Sequence, residues 1–243
     1  YLFTSFGGLD STGGYNMRVV RSLNPDGPYV DAQGNDMAAV RSDPTKPLFD
    51  DASIAPYGVK LMGSFLFERS LGDTGTGIGT GYVSPGHNSA YVDPASGKHF
   101  LIFHARFPER GEQHEIRTHQ LFMNADGWPV VAPRRYTGET LGAVRREFVQ
   151  GDYMLVNHGK DISATIKKSQ PIALNADGTI TGAVGGSWLL TGSNGIEIRL
   201  PGASPYKGVF ISGWDETAKS PAMTFSAVSR EGISLFGSRL PPR

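Results

Sequence analysis

Turn-forming residues divide this sequence into short apolar segments, and that spacing is the feature that most limits its fold. The 243 residues include 32 glycines and 16 prolines, the residue types on which tight turns depend. No segment keeps an amphipathic helical repeat over several turns, whereas runs of about four to eight residues rich in β-branched and aromatic side chains recur between the turns. The sequence therefore predicts an all-β protein.

The apolar runs are predicted to be β-strands in two groups. The first group comprises residues 1–6, 15–20, 59–67, 89–92, 99–104, 115–122 and 130–132. The second comprises residues 151–156, 163–168, 172–174, 187–191, 195–200, 207–213, 222–229 and 233–237. Residues 133–139 separate the groups, so we predict two domains, residues 1–140 and residues 145–243. The second is predicted to be a small antiparallel β-barrel or sandwich that folds alone.

Charge and apolar content limit the partners. The 23 basic residues balance the 23 acidic ones, which leaves no basic excess to neutralise a phosphate backbone, and we expect no nucleic-acid partner. No window approaches the roughly 20 apolar residues of a membrane span, and we expect no membrane partner. Cysteine is absent, which excludes disulfides and thiol chemistry. The chain starts without Met, in a predicted strand, so we expect an upstream part of the protein to be missing or carried separately.

Six histidines raise the question of a metal site formed within one strand or helix. His114 and His119 are five residues apart, and so are His99 and His104. An odd offset points two side chains to opposite faces of a strand, and an offset of five separates them by about 140° on a helix. Neither local pair is predicted to chelate an ion.

The glycine-rich residues 75–81 resemble a phosphate-binding loop. A dinucleotide-binding loop follows a strand and opens a helix, whereas a Tyr-Val-Ser-Pro segment follows here. We interpret the run as a flexible loop after Asp73, with the rim of a ligand cleft as the alternative. A Gly-x-Ser-x-Gly elbow is absent, so nothing indicates a serine hydrolase.

The segment around His87 combines turn residues and polar side chains, and it offers more candidate functional groups than any other segment of the sequence. It follows Pro85 and Gly86 and precedes the polar residues Asn88 and Ser89. A Pro-Gly turn is predicted to place its imidazole at the start of an apolar strand. An isolated histidine is usually structural, but this context makes His87 the candidate site residue.

Six short motifs follow one another in order. They are Tyr-Leu-Phe-x-Ser (1–5), Tyr-Asn-Met-Arg-Val-x-Arg-Ser (15–22), Gly-Pro-Tyr-Val-Asp (27–31), Pro-Gly-His-Asn-Ser (85–89), Phe-His-Ala-Arg-Phe (103–107) and Asp-Gly-Trp-Pro-Val-Val (126–131). Their order resembles the later blades of glycoside hydrolase family 43, and most closely the endo-α-1,5-L-arabinanases. The residues after Glu139 resemble the C-terminal β-barrel domain of the larger bacterial arabinanases.

This resemblance implies a fold and a metal. It implies the C-terminal blades of a five-bladed β-propeller, with the upstream blades missing, followed by an accessory β-barrel. The implied ligand is arabinan or an arabino-oligosaccharide in a groove on one propeller face. It further implies that His87 holds one ion, calcium, largely through water, although calcium prefers six to eight oxygen ligands. An imidazole that tunes a neighbouring carboxylate by a hydrogen bond remains the alternative.

The resemblance also implies where the catalytic groups lie. Family 43 enzymes invert the anomeric carbon with an acid and a base, and a third carboxylate tunes the acid. In the family all three lie upstream of the strand that begins here at Tyr1. The implied protein is a secreted endo-arabinanase that hydrolyses internal α-1,5-L-arabinofuranosyl bonds. We expect no catalytic residue in this chain, which would be inactive without the N-terminal part of the same enzyme.

Other functions remain open. One alternative is another family 43 glycosidase, an exo-arabinanase or a β-xylosidase. A second is a non-catalytic carbohydrate-binding β-protein. The three tryptophans bear on the second alternative because tryptophan can stack on sugars. We predict instead that Trp128 packs within a blade and that Trp188 and Trp214 pack in the core of the second domain.

Overall fold

A computed structural model describes residues 1–46 and 51–241, which form β-strands joined by turns. The strands are β1 (Leu2–Phe6), β2 (Asn16–Val20), β3 (Val59–Met62), β4 (Phe65–Glu68), β5 (Gly79–Val92), β6 (His99–Arg106), β7 (His114–Met123), β8 (Pro129–Val131), β9 (Gly151–Asn157), β10 (Lys167–Lys168), β11 (Gln170–Leu174), β12 (Thr179–Gly182), β13 (Gly186–Thr191), β14 (Gly195–Arg199), β15 (Tyr206–Asp215), β16 (Ser220–Val228) and β17 (Ser234–Arg239). The all-β prediction is confirmed. Among residues 1–46 and 51–241, helical structure is limited to one turn, α1 (Arg146–Val149), and two 3-10 turns, Met37–Ala39 and Ala52–Ile54. No helix in the described ranges has the length and apolar character to cross a membrane.

The first half of the chain forms two sheets. One has three antiparallel strands in the order β1-β2-β3, and the other has six in the order β10-β4-β5-β6-β7-β8. The predicted strand at residues 59–67 is in fact two strands, because β3 pairs with β2 whereas β4 pairs with β5. Both faces of β2 and β3 are buried, as in strands covered on two sides.

The longest strand differs from its prediction. Residues 89–92 are only the end of β5, which has 14 residues. Its register with β6 shifts between Val83 and Gly86 and again between Gly86 and Ser89. Glycine and proline are rare inside regular strands, and such irregularities accommodate them. His87 therefore lies within a strand, and its predicted position at the start of a strand after a Pro-Gly turn is wrong.

The second half of the chain forms a closed antiparallel barrel of eight strands in the order β11-β12-β13-β14-β15-β16-β17-β9. The predicted barrel is confirmed, although β12 is not among the predicted strands. Large side chains that include Tyr153, Trp188, Phe210 and Phe225 fill its interior. Trp188 is a core residue as predicted, and Trp128 is likewise buried, in the core of the first half. Trp214 is 38% exposed, so its predicted core position is wrong.

The two halves share a hydrophobic core and a sheet edge. Apolar side chains on the outer face of the barrel, Val209 and Ile211 among them, belong to the same cluster as the core of the two sheets. Of the predicted strand at residues 163–168, only β10 is a strand in the structure. It is not part of the barrel and pairs in parallel with β4. The two halves therefore pack against each other along one continuous interface, which we call the seam.

Buried cationic side chains cross this seam. The Lys60 ammonium group donates hydrogen bonds to the carbonyl oxygens of His158 (2.8 Å) and Asp161 (2.7 Å). The Arg18 guanidinium donates to the Lys160 carbonyl oxygen at 2.7 Å. Arg18 and Lys60 are 0% and 3% exposed, and buried charges require such partners. The segment after β9 is thus fixed to β2 and β3.

Candidate active-site wall around His87

The backbone at His87 is held in an unusual conformation. Its φ of 50° lies in the left-handed region, where non-glycine residues are uncommon but histidine is enriched. The His87 N–H donates to the Ser5 hydroxyl at 3.1 Å. The Asn88 side-chain amide donates to the same hydroxyl at 2.8 Å and to the Thr4 carbonyl oxygen at 3.3 Å. These contacts fasten the irregular part of β5 to β1 and leave His87 exposed.

Tyr15 supports this irregular segment from behind. A Cβ atom at Gly86 would lie 2.2 Å from the Tyr15 Cε1 atom, so the ring packs directly on the backbone there. Only glycine permits this approach. The Tyr15 ring also lies 5.8 Å from the His104 ring, measured between centroids. The position of His87 therefore depends on a tyrosine that lies 72 residues earlier in the sequence.

Three imidazoles gather at this point. The His87 and His104 rings are stacked, with centroids 6.0 Å apart and planes at 29°, and the His104 and His114 centroids are 5.8 Å apart. His104 and His114 come from neighbouring strands, since His104 pairs with Ile116 and His114 with Arg106. We call His87, His104 and His114 the imidazole cluster. The sequence analysis considered only pairs of histidines within one strand and did not predict this contact. The only signal for it in the sequence is that β6 and β7 are consecutive strands that can form an antiparallel hairpin.

The other histidines of the two within-strand pairs lie elsewhere. His119 is fully buried, where one ring nitrogen contacts the Tyr82 hydroxyl at 2.8 Å and the other contacts the Ala132 carbonyl oxygen at 2.7 Å. Burial lowers the pKa of His119 to about 4 despite the hydrogen bond to Ala132. His99 is exposed and pairs with Val92 at the opposite end of β6 from Arg106. As predicted, neither within-strand pair converges on one point.

Electrostatics favour a neutral His104. Burial lowers its pKa below the usual value, and the positive charge of Arg106 adds to the effect. Its Nε2 atom is buried and has no hydrogen-bond partner among residues 1–46 and 51–241. The Oδ1 atom of Asn88 is also buried and has no hydrogen-bond partner among these residues. Buried polar atoms of this kind normally bind an ordered water or ion.

A carboxylate near the cluster has a structural partner. The Arg106 Nε atom lies 2.5 Å from Glu112 Oε2, and Glu112 Oε1 accepts from the Ser11 N–H at 2.8 Å. Hydrogen bonds from Ser11, and then Arg106, lower the pKa of Glu112 to about 2. Arg106 also donates to the Leu9 carbonyl oxygen. Glu112 is therefore ionised at neutral pH and cannot act as a general acid.

The donor set at His87 suits only a largely hydrated ion. Within the described part of the chain, no group of three or more His, Asp or Glu side chains is placed to hold a metal. Calcium takes six to eight oxygen ligands. His87 offers one exposed imidazole. This residue fits an ion that the protein holds at one atom while water supplies the remaining ligands.

Sequence comparisons give one family and two relatives. Residues 133–237 match the GH43_C family, a C-terminal lipocalin-like domain. Over 98% of its length the chain is 55% identical to extracellular endo-alpha-(1->5)-L-arabinanase 2 of Bacillus subtilis. Over 99% it is 46% identical to the extracellular endo-alpha-(1->5)-L-arabinanase of Thermotoga petrophila. The chain spans about half the length of these curated relatives, 50% of each.

Solved structures give the same result. A family 43 glycoside hydrolase from Bacillus licheniformis superimposes with a TM-score of 0.92 at 57% identity, covering 99% of this chain and 52% of that one. An endo-1,5-alpha-L-arabinanase from Thermotoga petrophila superimposes with a TM-score of 0.89 at 45% identity, covering 98% and 52%. The similarity therefore extends through both sheets and the barrel.

Proposed function

The chain belongs to glycoside hydrolase family 43, and from that premise we propose that it is the C-terminal part of a secreted endo-arabinanase. The observation that carries the proposal is its 55% identity, along 98% of its length, to the extracellular endo-arabinanase of Bacillus subtilis. The proposed reaction is hydrolysis of internal α-1,5-L-arabinofuranosyl bonds of arabinan with inversion. A large extracellular polymer requires a secreted enzyme.

In this proposal the two sheets of the first half are the last blades of a five-bladed propeller. Two features support this assignment. The sheets are adjacent and antiparallel apart from β10, and they pack through one core. Among the described residues β1 pairs only with β2, and an edge strand left open in this way is a site for further pairing. The upstream part of the enzyme would cover this edge.

Hydrolysis with inversion needs a carboxylic acid and a carboxylate base about 6.5–9.5 Å apart. Glu112, beside the imidazole cluster, is held as an anion by Ser11 and Arg106, which excludes it as the acid, and its low pKa makes it a weak base. In line with the family resemblance, we assign both catalytic groups to the upstream part of the enzyme. This chain contributes a wall of the site, in which His87 projects into solvent while Ser5 and Tyr15 fix the strand that carries it.

We propose calcium as the ion at this wall, with His87 as the residue that would hold it and water as the remaining ligands. A bound cation would supply fixed positive charge and ordered water at this wall, and such charge lowers the pKa of neighbouring acidic groups. Ser5 and His104 contribute by holding the neighbouring side chains in place. Ser5 orients His87 and Asn88 through its hydroxyl, and His104 stacks on His87.

The experiment compares this chain alone, its upstream part alone and the two together on linear arabinan. We expect hydrolysis only from the combination, with oligosaccharide products that show internal cleavage. Proton NMR should show β-configured first products, because inversion converts an α bond into a β hemiacetal. Activity from this chain alone would contradict the proposal. Release of single sugars only, or cleavage of xylo-oligosaccharides instead, would identify another family 43 glycosidase. Arabinan binding without cleavage would indicate a binding protein.

A further inference from the structure

A concave region separate from the imidazole cluster lies where the barrel meets the six-stranded sheet. It is a cleft of about 580 Å³, within the size range of small-molecule sites. Three segments line it: the glycine-rich residues 76–81, the loop that begins at Phe107, and the turn between β15 and β16 at Glu216 and Thr217. The barrel therefore forms one wall of a cleft whose other walls belong to the first half of the chain.

The walls of the cleft are fixed to one another. A Cβ atom at Gly75 would lie 2.2 Å from the Thr217 carbonyl oxygen, and Gly75 has a φ of 102°. Both facts require glycine at this position. The hydroxyls of Thr80 and Thr217 are 2.8 Å apart. Residues 79–81 of the glycine-rich run that was predicted to be a flexible loop belong to β5, and the run is held against the barrel turn and lines the cleft.

The groups that line the cleft suit a polyhydroxylated ligand. The guanidinium carbons of Arg110 and Arg117 lie 5.2 Å and 4.7 Å from the centroid of the Phe107 ring. Arg117 is paired with Glu115, and Glu216 with Arg135. Arg110 has no carboxylate within 4 Å in the described part of the chain. Its five N–H donors remain available for hydroxyl oxygens.

Charge in the cleft is balanced rather than of one sign. The carboxylates of Glu109 and Glu216 lie among the arginines that line it, so there is no positive surplus to select an anion. Carboxylates accept hydrogen bonds from sugar hydroxyls, and guanidinium groups donate to them. This combination points to a neutral sugar.

One loop connects the cleft with the imidazole cluster. Phe107 and Arg110 line the cleft at one end of the loop between β6 and β7. At its other end Glu112 is bound to Arg106, and His114 contacts His104. The cleft and the imidazole cluster therefore share this loop as a common border.

We propose that the cleft is a distal subsite for neutral sugar units of a long substrate, with Glu216 and Thr217 of the barrel forming part of it. The inference rests on the proposed endo-arabinanase function and gives the barrel a direct part in substrate binding. The site should act on chain length, because short oligosaccharides bound near His87 do not reach it.

The test uses the enzyme that includes its upstream part, with Arg110→Gln and Glu216→Gln as variants. Arg199→Gln is the matched control, since Arg199 is an exposed barrel arginine on β14 outside the cleft. On linear arabino-oligosaccharides we expect KM to rise about 10-fold for chains of about six or more units in both variants, a change typical of one lost charged hydrogen bond. We expect KM for trisaccharides, and kcat, to match wild type.

Equal KM at every chain length would overturn the inference, as would an equal rise for short and long chains. Thermal unfolding identifies a variant that has lost its fold, and the second variant then decides. Affinity electrophoresis in gels containing linear arabinan gives a result that does not depend on hydrolysis. Retardation should weaken in both cleft variants but not in Arg199→Gln. If the wild-type enzyme fails to cleave arabinan, the proposed function is wrong, and this retardation still tests the cleft.

Discussion

The ring of Tyr15 rests directly on the backbone of Gly86, where a Cβ atom would lie 2.2 Å from the Tyr15 Cε1 atom. This contact joins the loop before β2 to the irregular part of β5 that carries His87. Because protein interiors are close-packed, a methyl group cannot be added there unless the ring or the strand moves. The contact therefore controls the position of His87 as well as stability.

Gly86→Ala is expected to destabilise the protein. Overpacking of this kind costs about 1–3 kcal/mol, which thermal unfolding will detect as a lower midpoint. Gly142→Ala is the control, because no atom lies within 4 Å of the Cβ position at Gly142. The double variant Tyr15→Ala/Gly86→Ala should lose less than the sum of the two single changes, since the alanine at 15 removes the clash. Strict additivity would contradict the contact.

Lys60→Met is expected to destabilise the seam between the two halves. The change removes two hydrogen bonds and leaves the buried carbonyl oxygen of His158 and the partly buried carbonyl oxygen of Asp161 without this donor. Each such loss costs about 1–3 kcal/mol, and urea unfolding measures the total. Lys168→Met is the matched control because Lys168 is exposed and, within the described part of the chain, its side chain is bound only to Glu68. A Lys60 variant as stable as the control would refute this role.

Lys60 also predicts a pH dependence. Burial lowers its pKa to about 7, despite the attraction of Asp161, from 10.5. Below pH 7 both the folded and the unfolded state carry the proton, whereas between pH 7 and 10.5 only the unfolded state does. The unfolded state then binds more protons, so stability rises with pH across this window. Lys160, whose pKa burial also lowers to about 7, adds to the same trend.

The measurement is the slope of the unfolding free energy between pH 7 and pH 9. In Lys60→Met this slope should fall by about 1.4 kcal/mol per pH unit, the value for one proton. Lys168→Met should keep the wild-type slope. The same slope in all three proteins would show that Lys60 does not release its proton in the folded state.

Local sequence patterns predicted the strands that have ordinary composition. Strands β6, β7 and β9 carry apolar runs bounded by turns, and the structure places them close to the predicted bounds. The first half of β5 was not predicted, because Gly79, Gly81, Pro85 and Gly86 give no strand pattern. The pairing of β10 with β4 joins residues about 100 positions apart, and no local pattern contains that information.

The candidate site was predictable in part for the same reason. His87 has a distinctive local context, whereas its contact with His104 depends on the register shifts of β5 against β6. The contact of His104 with His114 depends on the pairing of β6 with β7. Burial of Lys60 depends on carbonyl groups about 100 residues later in the chain. A single sequence gives residue types, but these contacts follow from three-dimensional register.

The isolated barrel, residues 145–243, is expected to fold. Its interior cluster, with Val149, Tyr153, Phe225 and Leu235, is separate from the core of the two sheets. Isolation would expose apolar side chains at the seam, Val209 and Ile211 among them, so we expect lower solubility and stability than in the longer chain. Circular dichroism should show β-structure that unfolds cooperatively. A random-coil spectrum would mean that the barrel requires the seam.

His87→Ala, in the enzyme that includes the upstream part, is expected to lower kcat on linear arabinan by about 10-fold or more. Loss of a metal ligand or of its partner commonly costs about 10–100-fold. The ring of His87 is exposed, and only its backbone N–H bonds to Ser5, so the global stability should change little. Turnover by the wild type should also fall on treatment with a strong chelator, whereas the alanine variant should respond less.

Two controls separate the imidazole from the backbone. His87→Gly keeps a residue that adopts the left-handed conformation of this position, with its φ of 50°, but removes the imidazole and offers no side-chain ligand. His99→Ala removes another exposed histidine, at the far end of β6. If the ring is required, the alanine and glycine variants at 87 lose activity together while His99→Ala does not. Wild-type activity in His87→Ala would defeat the assignment, and a loss in His87→Ala alone would trace the effect to backbone strain.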